Sequence, residues 1–390
     1  MRWLNSGAGA MTPNLITITG PPGVGKTRTI IASKPQCVVT YTKDAAAEVT
    51  SRMNIDPMKA GTAQCGTIYS LSWPHVKAQQ KLNIWRHDPG QNTPHQERRI
   101  RSSMDPALDS YEATAPSRYP KHILEPTAFD IHAWRDGGSH LNLKALNPRG
   151  PLKFCLPLAR WVAAGCPWAA DFEGYDEVVV DEAQDMSGLE LAAALGLCKP
   201  DGVVRAYGDP GQAIFLGQKG IKGNELPAAW VQADEIQTLH GGWRVGAPVS
   251  EMASGVLSSY YDIPPETFTA KHATTVHPWD FDSQPHGCGL VLGHSRASVA
   301  AALRSWGAIG TAVVPSVGDP DKELVMCTGH AAKGAEADNV YLLPWSAQGM
   351  RYLEMKEAAR LRLLYVMMTR AKRRLFVPHT LLAMVRRMTP

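Results

Sequence analysis

Two segments at opposite ends of the chain carry residue types that handle phosphate. Near the start, the sequence GPPGVGKT runs from Gly20 to Thr27, and near the end the sequence YVMMTRAKRRL carries Arg370. Glycines let backbone N–H groups turn toward phosphate oxygens, Lys26 adds a positive charge and Thr27 adds a hydroxyl that suits magnesium. A guanidinium from a second segment can neutralise charge on a transferring phosphoryl group. The pattern predicts a nucleotide site built from two distant segments.

The glycine-rich segment has the flanking elements that a phosphate loop needs. A β-rich run, Leu15 to Thr19, leads directly into it, and a helix-like segment follows. A plain glycine-rich turn before a helix is the alternative. The strand, the two glycines Gly20 and Gly25 and the Lys-Thr pair coincide, which favours the phosphate loop.

A second β-rich run, Val178 to Val180, ends in two adjacent carboxylates, Asp181 and Glu182. Ligands of open α/β sheets bind at the carboxyl edge of the strands. Asp181 suits magnesium coordination, and Glu182 suits polarising the water that attacks a γ-phosphate. A strand ending in a solvated turn would explain the same string, but the phosphate loop upstream favours the catalytic interpretation.

Seven motifs in one order resemble those of the UvrD/Rep-like branch of superfamily 1 DNA helicases. The matching segments are TYTKDAA at Thr40–Ala46, GTIYS at Gly66–Ser70, DEAQD at Asp181–Asp185, YGDPGQAIF at Tyr207–Phe215, LHGGWR at Leu239–Arg244, HAAKGAE at His330–Glu336 and LYVMMTRAK at Leu364–Lys372. Each motif alone is a weak signal, whereas seven in the family's order are specific.

The resemblance implies an ATP and Mg²⁺ site with assigned roles. Gln212 contacts the γ-phosphate, Arg28 and Trp243 stack on the adenine, and Glu336 holds the ribose. The implied catalytic set is Lys26, Glu182, Gln212, Arg244 and Arg370. The implied nucleotide-binding set is Gly20, Pro22, Gly23, Gly25, Lys26, Thr27, Arg28, Trp243, Gly334 and Glu336, with Thr27 and Asp181 on the metal.

Two of these positions have structural alternatives. Trp243 could be a core aromatic, because large aromatic side chains are usually buried. Arg370 could lie on a plain amphipathic helix with Leu361, Leu364 and Met368 at helical spacing.

For nucleic acid, the resemblance implies contacts by Tyr41, Thr67, Tyr69, Phe215 and His330. Aromatic residues on loops after strands can stack on the bases of a single strand. Burial of Phe215 in the core is the competing interpretation. Just after it, residues 216–218 (LGQ) replace the family's Trp-bearing segment, so one stacking platform is predicted to be missing.

The expected architecture is α/β, with tandem RecA-like P-loop NTPase domains of parallel sheets and a small accessory insertion in the first domain. We expect the first motor domain at 1–73 and 152–234, the insertion at 74–151 and the second motor domain at 235–390. A basic cluster in the insertion, at residues 98–101, could contact nucleic acid or be a solvated charge run. Only residues 315–323 stand where larger relatives carry a big accessory domain, which we expect to be absent.

Composition sets outer bounds on function. The chain has 390 residues and a formal charge of +4, which is too small to argue for nucleic acid by itself. Its seven cysteines show no metal-ligand spacing, which predicts reduced thiols and no structural zinc. No signal core or bilayer-length apolar run occurs, so we expect a soluble, cytoplasmic protein without membrane contact. The compact size suggests an origin in a phage or another mobile element.

These patterns together predict an ATP-dependent single-stranded DNA translocase and helicase, with 3′-to-5′ movement implied by the resemblance. We expect a monomer that acts on single-stranded DNA and duplex junctions and has a replication or repair protein as partner. A nucleic-acid-stimulated ATPase that remodels a complex without processive unwinding is one alternative. A catalytically silent binding module is another. The family's adenine-reading glutamine is missing upstream of the loop, which leaves the choice between ATP and GTP open.

Overall fold

The computed structural model describes residues 12–55, 63–81, 131–135, 158–159, 161–162, 165–215, 226–240, 245–258, 273–285, 287–306, 319–355 and 357–388. The sequence features at residues 98–101 and 216–218 lie outside these ranges. Among the helices that the described ranges contain, none is both long enough and apolar enough to cross a membrane.

The first sheet has six strands, in the order β3-β2-β4-β5-β1-β6. The strands are β1 (Asn14–Thr19), β2 (Cys37–Thr40), β3 (Gln64–Thr67), β4 (Tyr175–Val180), β5 (Cys198–Gly208) and β6 (Glu235–Thr238). Pairing is parallel between β1 and β5, β2 and β3, β2 and β4, and β4 and β5. The accompanying helices are α1 (Lys26–Ser33), α2 (Lys43–Met53), α3 (Ile68–Lys81), α4 (Ile131–Arg135), α5 (Gly188–Leu195) and α6 (Ala228–Val231).

The second sheet has five strands, in the order β7-β11-β10-β8-β9. Its strands are β7 (Thr275–Trp279), β8 (Gly289–Gly293), β9 (Leu324–Thr328), β10 (Ala337–Leu342) and β11 (Ala371–Pro378), all paired in parallel. Its helices are α7 (Ala247–Ser258), α8 (Arg296–Ser305), α9 (Ala347–Glu354), α10 (Ala358–Met368) and α11 (His379–Met388). Two parallel sheets with flanking helices confirm the predicted tandem RecA-like fold class.

The described residues divide into two compact units. The first takes those of Met1–Thr19, Thr27–Gly208 and Phe215–Gln237, and the second takes those of Gly20–Lys26, Asp209–Ile214 and Thr238–Pro390. Two loops that follow strands of the first sheet, at Gly20–Lys26 and Asp209–Ile214, are therefore part of the second unit.

The core of the first unit is built around the central strands. Val178 and Val180 of β4 are fully buried, and all eight residues of α5 are buried against the same cluster. A strand that is buried on both faces needs a continuous apolar run, and β-branched valines supply one. Ser187 and Glu190 form a capping box that fixes the start of α5. The carboxyl end of β4 is therefore rigidly placed.

Part of the segment predicted as an accessory insertion packs on the first unit's core. Helix α3 continues through Pro74 to Lys81, past the predicted start of the insertion at residue 74. In α4, the side chain of Ile131 is fully buried in the core cluster. Arg135 donates to both carboxylate oxygens of Asp234 at 2.8 Å. These stretches are integral to the first unit.

One sequence-based expectation about secondary structure needs correction. The pattern around Arg370 predicts one continuous helix, but α10 ends at Met368 and β11 begins at Ala371. Arg370 therefore lies in the turn between them. The amphipathic alternative for this helix is also wrong, since α10 is buried from Leu361 through Met368.

Strand β6, Glu235–Thr238, lies at the predicted start of the second motor domain. The sequence pattern predicts the start of the second motor domain near Glu235, whereas β6 is the edge strand of the first sheet. All four of its residues are exposed, so their pattern carries no signal of which sheet they join.

Candidate active site

The phosphate-loop segment holds its lysine against its own backbone. Gly23 and Gly25 have φ values of 76° and 93°, which favour glycine. Lys26 is buried, and its Nζ donates to the carbonyl oxygens of Gly20 at 2.6 Å and Pro21 at 3.1 Å. Gly20 has no room for a side chain, because a Cβ there would lie 2.8 Å from Val24 Cγ1. The loop therefore holds a buried ammonium group against its own carbonyl oxygens.

Thr27 and Asp181 meet in the first unit. The Thr27 hydroxyl donates to Asp181 Oδ2 at 3.3 Å. The backbone N–H of Asp181 donates to Val39 O at 2.9 Å, which extends the pairing of β4 with β2. The Asp181 carboxylate is buried and its Oδ1 accepts from Glu182 N at 3.0 Å. A hydroxyl and a carboxylate side by side are the hard oxygen ligands that Mg²⁺ prefers.

Glu182 has an unusual backbone conformation next to this pair. Its φ and ψ are 56° and 40°, in the left-handed region that costs a non-glycine residue roughly 1–3 kcal/mol. Gln184, which is fully buried, donates from Nε2 to Glu182 Oε2. Gly208 allows this arrangement, since a Cβ there would lie 2.5 Å from Gln184 Oε1. Strain held by surrounding contacts is a mark of functional positions.

In the second unit, Gln212 and Arg370 are directly bonded. Arg370 is only 1% exposed, and its Nη2 donates to Gln212 Oε1 at 3.1 Å. Its Nε donates to Val366 O at 3.0 Å and its Nη1 to Ala335 O at 3.4 Å. Lys333 Nζ donates to the backbone oxygen of Gln212 at 3.2 Å. Two predicted catalytic side chains thus belong to one buried network.

A carboxylate and a phenol complete this network. Asp209 Oδ2 accepts from Gln212 Nε2 at 2.9 Å and from the Tyr365 hydroxyl at 3.0 Å. Burial, together with the charge and hydrogen bond of Asp209, raises the pKa of Tyr365 well above its usual value, while Arg370 opposes the rise. Sequence reasoning assigned no role to Asp209, Tyr365, Lys333 or Gln184, although all four lie inside the quoted motifs.

The other predicted nucleotide-binding residues differ in their burial. Arg28 is exposed on α1, Pro22 is buried and Glu336 is half-buried beside β10. Gly334 has a φ of 87°, and no atom of the described residues lies within 4 Å of the position that a Cβ would take there. Conformation rather than space therefore favours glycine at this position. Trp243 and Arg244 lie outside the described residues.

Of the predicted nucleic-acid contacts, two aromatic residues come together. Tyr41 follows β2, and its ring stacks on Phe215 with centroids 6.1 Å apart and planes 22° apart. Thr67 ends β3, and its Oγ1 lies 3.3 Å from Ser70 Oγ.

Tyr69 and His330 have other surroundings. The ring of Tyr69 packs on the first unit's core and its hydroxyl donates to Glu190 Oε1 at 3.4 Å. His330 is half-buried in the second unit, where burial and the charges of Arg360 and Lys333 lower its pKa. A neutral imidazole is favoured at this position.

A family model matches the segment that carries much of the second network. Residues 324–377 match the model of the UvrD-like helicase C-terminal domain. The match covers less than half of the chain. The matched segment spans β9, β10, α9, α10 and nearly all of β11, and therefore contains Lys333, Tyr365 and Arg370.

Solved helicase structures are also similar to the chain. "The structure of PRRSV helicase" matches with 16% identity and a TM-score of 0.43, covering 93% of this chain and 52% of that one. Arterivirus nonstructural protein 10 (helicase) matches with 16% identity and a TM-score of 0.42, covering 94% and 59%. Its complex with DNA matches with 16% identity and a TM-score of 0.42, covering 95% and 63%. The chain thus spans 52% to 63% of these helicases' length, less than two thirds of any of the three. No curated protein sequence matches it.

Proposed function

We propose that this chain is an ATP-dependent DNA helicase that couples ATP hydrolysis to 3′-to-5′ movement along single-stranded DNA. The UvrD-like C-terminal domain supports the helicase class. The seven-motif resemblance supports the direction and the choice of DNA. It also implies ATP as the nucleotide, although the family's adenine-reading glutamine is missing. The observation that carries the proposal is the buried hydrogen bond between Arg370 and Gln212, because both side chains were predicted to act on the terminal phosphate.

The phosphate and metal ligands fit the proposed cofactors. Lys26 supplies charge to the β- and γ-phosphates, and the N–H groups near Gly23 and Gly25 supply donors. Thr27 and Asp181 would hold Mg²⁺ with the hydroxyl and carboxylate oxygens that already lie 3.3 Å apart. Bound magnesium supplies charge neutralisation on the phosphate oxygens.

Glu182 acts as the general base in this proposal. Its carboxylate accepts the proton of the attacking water, while Gln184 fixes the carboxylate through the hydrogen bond to Oε2. The left-handed backbone at Glu182 sets the direction of its side chain as the chain leaves β4. A substitution that keeps shape but removes the proton acceptor, Glu182→Gln, should therefore stop hydrolysis and spare binding.

Gln212 and Arg370 act on the charge that develops during phosphoryl transfer. The amide of Gln212 contacts the terminal phosphoryl group, and the guanidinium of Arg370 neutralises its spreading charge. Because Arg370 is held by backbone carbonyls of Val366 and Ala335, little reorganisation is needed when charge appears.

The DNA strand is proposed to contact the stacked pair Tyr41 and Phe215. Base–aromatic stacking tolerates any sequence, which suits a motor that moves along a strand. The proposal places the protein in the cytoplasm as a monomer that works at duplex junctions with a replication or repair protein.

The test compares ATP hydrolysis on single-stranded DNA, single-stranded RNA and duplex DNA, for wild type and Glu182→Gln. We expect turnover stimulated by single-stranded DNA in wild type and abolished in the variant, with the Kd for ATP retained. Turnover that is indifferent to every nucleic acid would reject the motor. Unwinding of a duplex with a 3′ tail, and not of one with a 5′ tail, supports the helicase with its direction. DNA-stimulated hydrolysis without unwinding would instead favour a remodelling ATPase.

A further inference from the structure

The carboxylate of Asp209 is the hub of the buried network in the second unit. It is 5% exposed, and Oδ1 accepts from Gly211 N at 2.9 Å. Oδ2 accepts from both Gln212 Nε2 and the Tyr365 hydroxyl. The sequence Asp-Pro-Gly-Gln builds this hub locally, because Asp209 caps the 3₁₀ turn Pro210–Gln212 with proline at its first position. Three donors therefore satisfy the hydrogen-bonding capacity of a carboxylate that is buried from water.

The amide of Gln212 can have only one orientation between its neighbours. Its Nε2 donates to the Asp209 carboxylate and its Oε1 accepts from the Arg370 guanidinium. Turning the amide over would place two N–H groups against a guanidinium and a carbonyl oxygen against a carboxylate. The amide dipole is therefore aligned between a negative and a positive group, and Asp209 decides which end faces Arg370.

Tyr365 supplies the contact that places Asp209. It lies on α10, five residues before Arg370, and its side chain is fully buried. Its hydroxyl keeps its proton, because burial and the neighbouring carboxylate raise its pKa, and the hydroxyl therefore donates to Asp209. One helix thus positions both ends of the network: Tyr365 holds Asp209, and Val366 O holds Arg370 Nε.

Close packing fixes the distance between the loop and this helix. A Cβ on Gly211 would lie 2.5 Å from Leu257 Cδ1 and 3.0 Å from Tyr365 Cε1. Glycine at this position lets the loop approach the ring of Tyr365 without displacing Leu257 or the ring. The loop and the ring are therefore matched in shape as well as in hydrogen bonding.

We propose that Tyr365 and Asp209 are positioning residues for nucleotide hydrolysis, which act on the reaction through the orientation of Gln212 and its bond to Arg370. The inference rests on the proposed function. Neither residue needs to touch the nucleotide. Loss of the Tyr365 hydroxyl lets Asp209 turn, the Gln212 amide loses its fixed direction, and fewer molecules carry the arrangement that stabilises the transferring phosphoryl group.

The first experiment measures steady-state ATP hydrolysis of Tyr365→Phe at saturating single-stranded DNA. The substitution removes one oxygen atom and keeps the ring. We expect kcat to fall about tenfold, in line with loss of one hydrogen bond to a charged group, with KM for ATP within about twofold. Tyr352→Phe is the matched control, because Tyr352 is a half-buried tyrosine of the same unit whose hydroxyl accepts from Gln348 at 3.0 Å, outside the Asp209 network. Its kcat and KM should equal those of wild type.

A double-mutant cycle separates positioning from a general loss of structure. Gln212→Ala removes the amide whose orientation Tyr365 and Asp209 fix. Adding Tyr365→Phe to this variant should therefore lower its kcat by less than about twofold. A tenfold further loss in that background would overturn the proposal, and so would Tyr365→Phe with unchanged kcat. Asp209→Asn should behave like Tyr365→Phe, with the nucleotide Kd confirming a folded site. Absence of hydrolysis in wild type would refute the proposed function itself. If wild type hydrolyses ATP and Tyr365→Phe has the same kcat, only the positioning role is refuted.

Discussion

Gly208→Ala is predicted to impair the general base Glu182 indirectly, by displacing Gln184. Gly208 ends β5, and a Cβ there would lie 2.5 Å from Gln184 Oε1, 2.7 Å from Trp230 Cη2 and 3.2 Å from Gln184 N. Gln184 is fully buried and Trp230 is 6% exposed, so neither can move into solvent. Backbone is among the contacted atoms, which excludes relief by side-chain rotation alone.

The magnitude follows from these contacts. Overpacking of a buried site costs about 1–3 kcal/mol, and each kcal/mol lowers Tm by about 2–4 °C in a domain of this size. We therefore expect Tm to fall by about 2–12 °C. Displacement of Gln184 also releases Glu182, whose role as a general base is worth about 10²–10⁴-fold in rate, so partial loss should lower kcat at least about tenfold.

The assay is differential scanning calorimetry together with DNA-stimulated ATP hydrolysis. Gly349→Ala is the control, because the nearest atoms to its Cβ lie at 3.3 Å, a contact that shifts of a few tenths of an ångström relieve, and alanine is the better helix former in α9. Its Tm should stay within about 2 °C of wild type. Wild-type Tm and kcat in Gly208→Ala would refute the packing argument, and a lowered Tm with normal kcat would refute the link from Gln184 to Glu182.

Two further predictions concern pH and DNA. Burial lowers the pKa of His75 to about 4, and its Nδ1 accepts from Ala169 N at 3.2 Å, so the unfolded chain takes up a proton first as pH falls. The stability that neutral His75 contributes is present above about pH 6.5 and is lost progressively toward pH 4. Urea unfolding at pH 5 should therefore give a free energy of unfolding about 2 kcal/mol lower than at pH 7.5. His75→Phe should remove this difference, and an unchanged dependence of stability on pH in the variant would contradict the prediction. For DNA, Phe215→Ala should raise the Kd for single strands about 5- to 100-fold in fluorescence anisotropy. Tyr352→Phe should leave that Kd unchanged, since Tyr352 is not among the predicted nucleic-acid contacts, and equal affinity in Phe215→Ala would reject the stacking role.

Strands and loops with strong local signals were predictable from the sequence. Val178–Val180 and Leu290–Leu292 are continuous apolar runs, which buried parallel strands require, and both are strands in the structure. The phosphate loop follows β1 as predicted, and its glycines have the positive φ values that the motif needs. Local chemistry was sufficient at these positions.

The features that could not be predicted from the sequence depend on contacts between residues far apart in the chain. Helical spacing continued past Met368, but Thr369 Oγ1 bonds back to Tyr365 O and the next residues pair with β10, with Leu375 opposite Val340. The contact of Tyr365 with Asp209 joins residues 156 positions apart. In α4, the burial of Ile131 depends on a cluster made by the rest of the first unit. Spacing along the chain carries no information about such pairs.

The most direct test of the proposed motor is ATP hydrolysis by Arg370→Lys at saturating single-stranded DNA. Lysine keeps the charge but cannot donate in the three directions that Arg370 uses, toward Val366 O, Ala335 O and Gln212 Oε1. We predict that kcat falls about 10³-fold, as for loss of an arginine that stabilises transferring phosphoryl charge, while the Kd for ATP stays within about threefold. Turnover of Arg370→Lys within twofold of wild type would contradict the proposed role of Arg370.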